Sequence, residues 1–270
     1  MTAQGSPGPD VVDAAPEPSV RAALDALVRS GVDWGWRTGP VPGRTQAAPE
    51  RRPARPTRPA AVLVLFGSAD GSGGRRGAGG PTGTRTPGRR AASDGPVGPV
   101  GSPVDLAGIE VLLIQRAASL RHHPGQVAFP GGRLDPEDDG PVAAALREAA
   151  EETGLDPAGV DVVGTLGGLP LPVSDHVVTP VLAWWRKPSP VGVVDTGESS
   201  AVFRVSVTDL LDPAHRHLAR VSRGGRSLDS PAFLVDDRLV WGFTGIVLDR
   251  VLDGLGWTVP WEPQVLDIPV

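Results

Sequence analysis

The stretch GGRLDPEDDGPVAAALREAAEETGL, residues 131–155, decides the fold of this chain. From Val142 to Thr153 it is mostly Ala, Leu, Arg and Glu, all strong helix formers, and Gly154 stands where a helix stop is expected. The spacing predicts a helix of about three turns. Residues three and four apart share a face, so Glu148 lies beside both Glu151 and Glu152, while Val142, Ala145, Leu146 and Ala149 supply the packed side. Three carboxylates are therefore expected to converge. Like charges at these spacings each destabilise a helix by roughly 0.2–0.5 kcal/mol, which implies a neutralising partner. Arg147 offsets part of the charge, and hard carboxylate oxygens suit Mg²⁺ or Mn²⁺, which takes further oxygens from water and substrate phosphates. A lone acidic helix face is ordinarily just solvated. Here it follows Phe129-Pro130 and the pair Gly131-Gly132, whose missing side chains permit close backbone approach, and that conjunction points to metal and phosphate.

Upstream lies LLIQRAASLRHHPGQVAFPGG, residues 112–132. Arg116, Arg121 and the pair His122-His123 put positive or hydrogen-bonding groups just ahead of the acidic helix, where a polyanionic substrate needs them. Arg121 and His123 are candidates for substrate contact or for organising the site; His122, His215 and His217 read as structural.

Two motifs carry a family resemblance. Residues 147–155, REAAEETGL, resemble the second half of the Nudix box, Gly-x5-Glu-x7-Arg-Glu-U-x-Glu-Glu-x-Gly-U with U apolar. The first half departs from it: Gly132 lies fifteen residues before Arg147 rather than fourteen, and counting back from Arg147 puts Asp139 in the outer glutamate position, with Glu137 two residues earlier. Residues 112–132 are similar to the signature of the coenzyme A diphosphatase branch of that family, with Ala117 in place of the usual Ser. Further on, Val173–Val181 and Val202–Val207 resemble the branch's next strands. Glu198 precedes the second of these, in a segment where the branch carries Glu-Val-x-x-Val-Phe; the acid sometimes found three residues after it is replaced by Ala201.

The resemblance implies an α/β fold, the Nudix α/β/α sandwich around a mixed β-sheet. It implies hydrolysis of the diphosphate of coenzyme A to 4′-phosphopantetheine and 3′,5′-ADP. Glu148, Glu151, Glu152 and Glu198 are then the expected ligands of Mg²⁺ or Mn²⁺. Glu151, Glu152 and Arg147 are the expected catalytic residues, with Arg147 orienting the glutamates. Arg116, Arg121, His123, Gly131 and Gly132 are the expected substrate-binding residues. The rival readings are hydrolysis of another nucleoside diphosphate derivative, such as ADP-ribose or a nucleotide sugar, and a non-catalytic Nudix-fold binding module. The metal helix alone does not separate the substrates, and the presence of all three glutamates argues against the silent module.

Composition bounds the rest. The chain has 270 residues with 30 Pro, 36 Gly and no Cys, which removes disulfides, thiol nucleophiles and zinc–thiolate sites and is compatible with a cytoplasmic location. The first eighteen residues lack the basic start and apolar core of a signal peptide, and no apolar run approaches the roughly 20 residues that span a membrane. Ser19–Arg29 is expected as a helix, with Trp34 and Trp36 anchoring it, and residues 38–59 as a Pro/Arg linker. Residues 1–59 are thus an N-terminal extension, 60–256 the catalytic domain and 257–270 a tail. The first strand is expected over Ala60–Phe66, and residues 67–108, rich in Gly, Ser, Pro and Arg, as a disordered insertion. Ten arginines between Arg44 and Asp94 oppose only Glu50, Asp70 and Asp94, a pattern that basic nucleic-acid-binding arms share. Phe66 is the sole aromatic residue among them, and Lys187 is the only lysine in a chain of net charge −5 that uses arginine throughout. Biased composition accounts for the run, and nucleic-acid binding is not expected. A hairpin is expected from Ala232–Val235 and Leu239–Trp241, then a helix over Gly242–Asp253. The tail shows no clear element, though its two tryptophans suit docking or a homodimer contact.

Overall fold

The computed structural model describes residues 17–34, 58–69, 104–120, 122–171 and 175–269. Most of the linker, most of the 67–108 insertion, Trp36 and Arg121 lie outside them. In chain order the elements are α1 (Glu17–Ser30), β1 (Arg58–Ser68), β2 (Ile109–Arg116), β3 (Val127–Ala128), β4 (Gly131–Arg133), α2 (Gly140–Thr153), β5 (Val160–Thr165), β6 (Leu169–Leu171), β7 (His176–Trp185), β8 (Ser199–Ser206), α3 (Val207–Leu211), β9 (Arg216–Arg223), β10 (Arg226–Val235), β11 (Arg238–Val240), α4 (Gly242–Gly254) and β12 (Val265–Ile268).

The apolar run expected as the first strand becomes the centre of a mixed sheet. β1 lies parallel to β7 and antiparallel to β2 and β4, and the backbone order is β3-β2-β1-β7-β5, with β8 on β2 and β6 on β7. Alternate side chains of a strand face opposite ways, and both faces of this sheet are covered. Ala61, Leu63 and Leu65 of β1 join Val181, Ala183 and Trp185 of β7 under α2. Val64 and Phe66, with Leu182 and Trp184, face the other way onto α1, α4 and the second sheet. The result is an α/β sandwich with a mixed sheet between helical layers.

The second sheet runs β11-β10-β9-β12. Its β10–β11 hairpin closes at Asp236-Asp237, both at positive φ (50° and 60°), a conformation that short polar side chains tolerate. The C-terminal tail, expected to lack an element, adds β12 parallel to β9, with Val265 opposite Leu218.

The N-terminal extension contributes to the core. Val20, Leu24 and Leu27 of α1 are buried in the main cluster, Arg21 donates to Asp161 of β5 at 3.2 Å, and Trp34 Nε1 donates to the Gly167 carbonyl at 2.6 Å. Leu24 is fully buried, so Leu24→Ala is expected to cost about 2–5 kcal/mol through lost burial and the cavity left behind. Urea unfolding checks it: an unchanged midpoint would mean that α1 is not part of the cooperative unit.

Candidate active site

Small side chains bring the acidic helix down onto the sheet. The buried face of α2 is Ala144, Ala145, Ala149 and Thr153, whereas Val142 and Leu146, both expected in that face, are only partly covered. The neighbouring glycines then fix where the carboxylates sit. Gly131 has φ 153°, and a Cβ there would overlap the carbonyl of Ala61 and the backbone of Val62, so only glycine lets β4 run this close to β1. A Cβ on Gly132 would land on the carboxylate of Glu148.

Glu152 is strongly perturbed. Its Oε2 accepts from the Gly131 N–H at 2.9 Å. Burial pushes its pKa up to about 7, aided by the nearby charges of Glu148 and Glu198, while the Gly131 N–H and Arg116 pull the other way. Burial also raises the pKa of Glu148, against the lowering effect of Arg147. Glu151 is different: its side chain is 59% exposed and lies 3.0 Å from Arg147 Nη1.

Arg147 ties the acids together. Its guanidinium reaches Asp138 at 2.9 Å, Glu148 at 3.2 Å, Glu151 at 3.0 Å and Asp135 at 3.6 Å, and donates to the Arg133 carbonyl at 3.1 Å. The bond to Asp138 is the chief reason that the arginine's pKa rises and that of Asp138 falls. Arg147 thus contacts two of the three glutamates, Glu148 and Glu151.

Asp138 corrects the sequence reading, which put Asp139 in the outer acid position. Asp138 is only 6% exposed and takes both Nε and Nη2 of Arg147, whereas Asp139 is exposed and makes no side-chain cap bond. Two residues after Asp138, Gly140 turns through φ 82° into α2. Counting forward from Gly132 by the box's spacing lands on Asp138; counting back from Arg147 crosses the inserted residue and misses it.

The remaining expected residues divide. Arg116, at the end of β2, is close enough to stabilise the charge of Glu152, and Glu198, on the approach to β8, close enough to oppose it. The backbone clamps this corner, with Ala117 N–H donating to the Glu198 carbonyl at 2.9 Å. His123 is exposed at φ 56°, and its side chain makes no hydrogen bond to the glutamates among the described residues. Arg121 lies outside the described residues.

The donor set fits a small divalent cation. Glu148 and Glu152 are hard oxygen donors drawn out of water beside a glycine turn, and Mg²⁺ is commonly held by one or two carboxylates with water and phosphate oxygens completing its shell. Among the described residues no three His, Asp or Glu side chains form a ready-made cage. Of the three glutamates expected to converge, Glu148 and Glu151 both contact Arg147, and the charge of Glu148 acts on Glu152.

A NUDIX domain is recognised over residues 100–223. The protein named "Uncharacterized Nudix hydrolase NudL" from Escherichia coli O7:K1 is 38% identical over 143 residues, covering 53% of this chain and 73% of that protein. The chain belongs to the Nudix hydrolases. The Photorhabdus laumondii protein of the same name is 35% identical over 150 residues, 52% of this chain and 74% of its own. A C. elegans Ap4A hydrolase structure is 21% identical with a TM-score of 0.36, covering 57% of this chain and 84% of that one. Nudix hydrolases generally use divalent ions such as Mg²⁺ or Mn²⁺, in keeping with the Glu148–Glu152 pair.

Proposed function

We propose that this Nudix hydrolase cleaves the diphosphate of coenzyme A or its derivatives, releasing 4′-phosphopantetheine and 3′,5′-ADP. One observation carries the reading: Arg116 and Gly131, both within the 112–132 signature, act directly on Glu152 in the folded chain. This supports reading the residues that resemble the coenzyme A branch and those of the acidic helix as parts of one site.

In this reading Glu148 and Glu152 hold the divalent ion, with Glu151 and Glu198 at the edge of the set. The bound ion supplies charge neutralisation for the phosphoryl oxygens and acidifies the attacking water. Arg147, fixed by Asp138, holds the α2 carboxylates in register, and Arg116 and His123 meet the polyanionic substrate. The proton of the attacking water passes to a glutamate of this cluster or to Glu198.

The test is product analysis. Purified protein with Mg²⁺ or Mn²⁺ and coenzyme A should release phosphopantetheine and 3′,5′-ADP, and a chelator should stop it. Phosphopantetheine at background level beside rapid cleavage of ADP-ribose would reassign the substrate.

A further inference from the structure

Among the described residues, two buried polar groups beside the candidate site have no hydrogen-bond partner: Nε of Arg116 and Oγ of Ser199. Ser199 is 1% exposed. The two residues are direct partners across the antiparallel pair β2–β8, and side chains of such partners stand on the same face of a sheet, their Cβ atoms roughly 5 Å apart. That face is the one under α2, since Leu112, two pairs along β2, packs into the cluster with Ala145 and Ala149. It carries Arg116 towards Glu152.

The backbone around the pair is well tied. The register shifts between Gln115 and Arg116, and Ser200 at the shift donates to the Gln115 carbonyl at 3.3 Å. Arg116 N–H donates to the Gln126 carbonyl and Ala117 N–H to that of Glu198, both at 2.9 Å. A bulge of this kind re-aims side chains. With the backbone held on both strands, only the two side chains are left to adjust. One presents an unmet donor, and the other a hydroxyl that accepts.

Leaving both groups buried and unpaired is costly, and an apolar residue of similar volume at position 199 would avoid half of that cost. Because Oγ and Nε are shut off from solvent, neither meets a ligand directly; they are placed to meet each other.

We propose that Ser199 is a positioning residue for Arg116: when a diphosphate arrives, the guanidinium turns so that Nε donates to Ser199 Oγ and the two Nη groups face a phosphoryl oxygen. Fixing the fork in this way presents paired donors to the phosphate and reduces the rotamer freedom lost on binding. The inference rests on the reading of this face as a diphosphate site. Its occupant is a nucleoside diphosphate moiety.

The test uses Ser199→Val, Ser199→Thr and Arg116→Lys in the full chain, with KM and kcat for the cleaved substrate and calorimetric binding of ADP with Mg²⁺ as a probe independent of turnover. Ser199→Val should raise KM and weaken Mg²⁺–ADP binding about tenfold, with kcat little changed and Tm unchanged or higher. Ser199→Thr, which keeps the hydroxyl, should restore binding. In the Arg116→Lys background, which lacks the Nε donor, Ser199→Val should have no further effect. Equal effects in both backgrounds, a lowered Tm for Ser199→Val, or an unchanged KM would each overturn the proposal. An enzyme that cleaves diphosphates with a Ser199→Val variant at wild-type KM would sink the positioning role alone. A protein that neither cleaves them nor binds Mg²⁺–ADP would sink the diphosphate reading with it.

Discussion

Glu152→Gln is expected to fold and to lose about 10²–10⁴-fold in turnover, the scale of losing a positioned general base. The amide still accepts from the Gly131 N–H, so the turn keeps its hydrogen bond. What disappears is the charge that holds the cation and takes the proton. The same variant tests the electrostatics. In the metal-free protein Glu152 titrates near 7, against 4.5 for an ordinary glutamate, so the folded state binds more protons between these values. The stability contributed by this group is therefore full below about pH 4.5 and is lost as pH rises through about 7. Thermal unfolding without divalent ions should show Tm falling across that window in the wild type, with the Glu152 component of the slope absent from Glu152→Gln. Full activity of the variant with metal bound would remove Glu152 from the chemistry.

The two glycines of the turn should fail in different ways. Gly131→Ala forces a side chain into φ 153° and against the backbone of β1, neither of which can yield cheaply. The expected loss is roughly 2–6 kcal/mol from strain and overpacking together, read as a lowered urea midpoint or as insoluble protein. Gly132→Ala meets first the carboxylate of Glu148, the far end of a flexible side chain. That variant should keep the wild-type midpoint within about 1 kcal/mol, yet bind Mg²⁺ more weakly and lose at least about tenfold in turnover because Glu148 is displaced. Wild-type turnover in Gly132→Ala would contradict the placement of Glu148 at the site.

These contrasts show what local sequence carries and what it does not. The α2 and α4 helices were legible because helix formers, apolar spacing and glycine punctuation act within a few residues. Asp138 was obscured by one inserted residue, since a motif measured from one end does not show where the extra residue is absorbed; the folded chain singles out Asp138 by its bonds to Arg147. β9 and β12 depend on pairing across more than forty residues, and the half-exposed pattern of Val265–Ile268 gave no local signal. The role of α1 was half legible: its periodicity marked a helix, but only the fold shows Leu24 and Leu27 completing the core. At the site, residue types were readable and distances were not: Arg147 holds both Glu148 and Glu151, while Glu152 is buried against the Gly131 N–H.

The central claim is tested most directly by measuring kcat/KM for coenzyme A and for ADP-ribose side by side, with Mg²⁺ and then with chelator. The account predicts metal-dependent cleavage that favours coenzyme A by at least about tenfold, the contribution of one good charge-assisted contact. A ratio that favours ADP-ribose, or cleavage that survives the chelator, would contradict it.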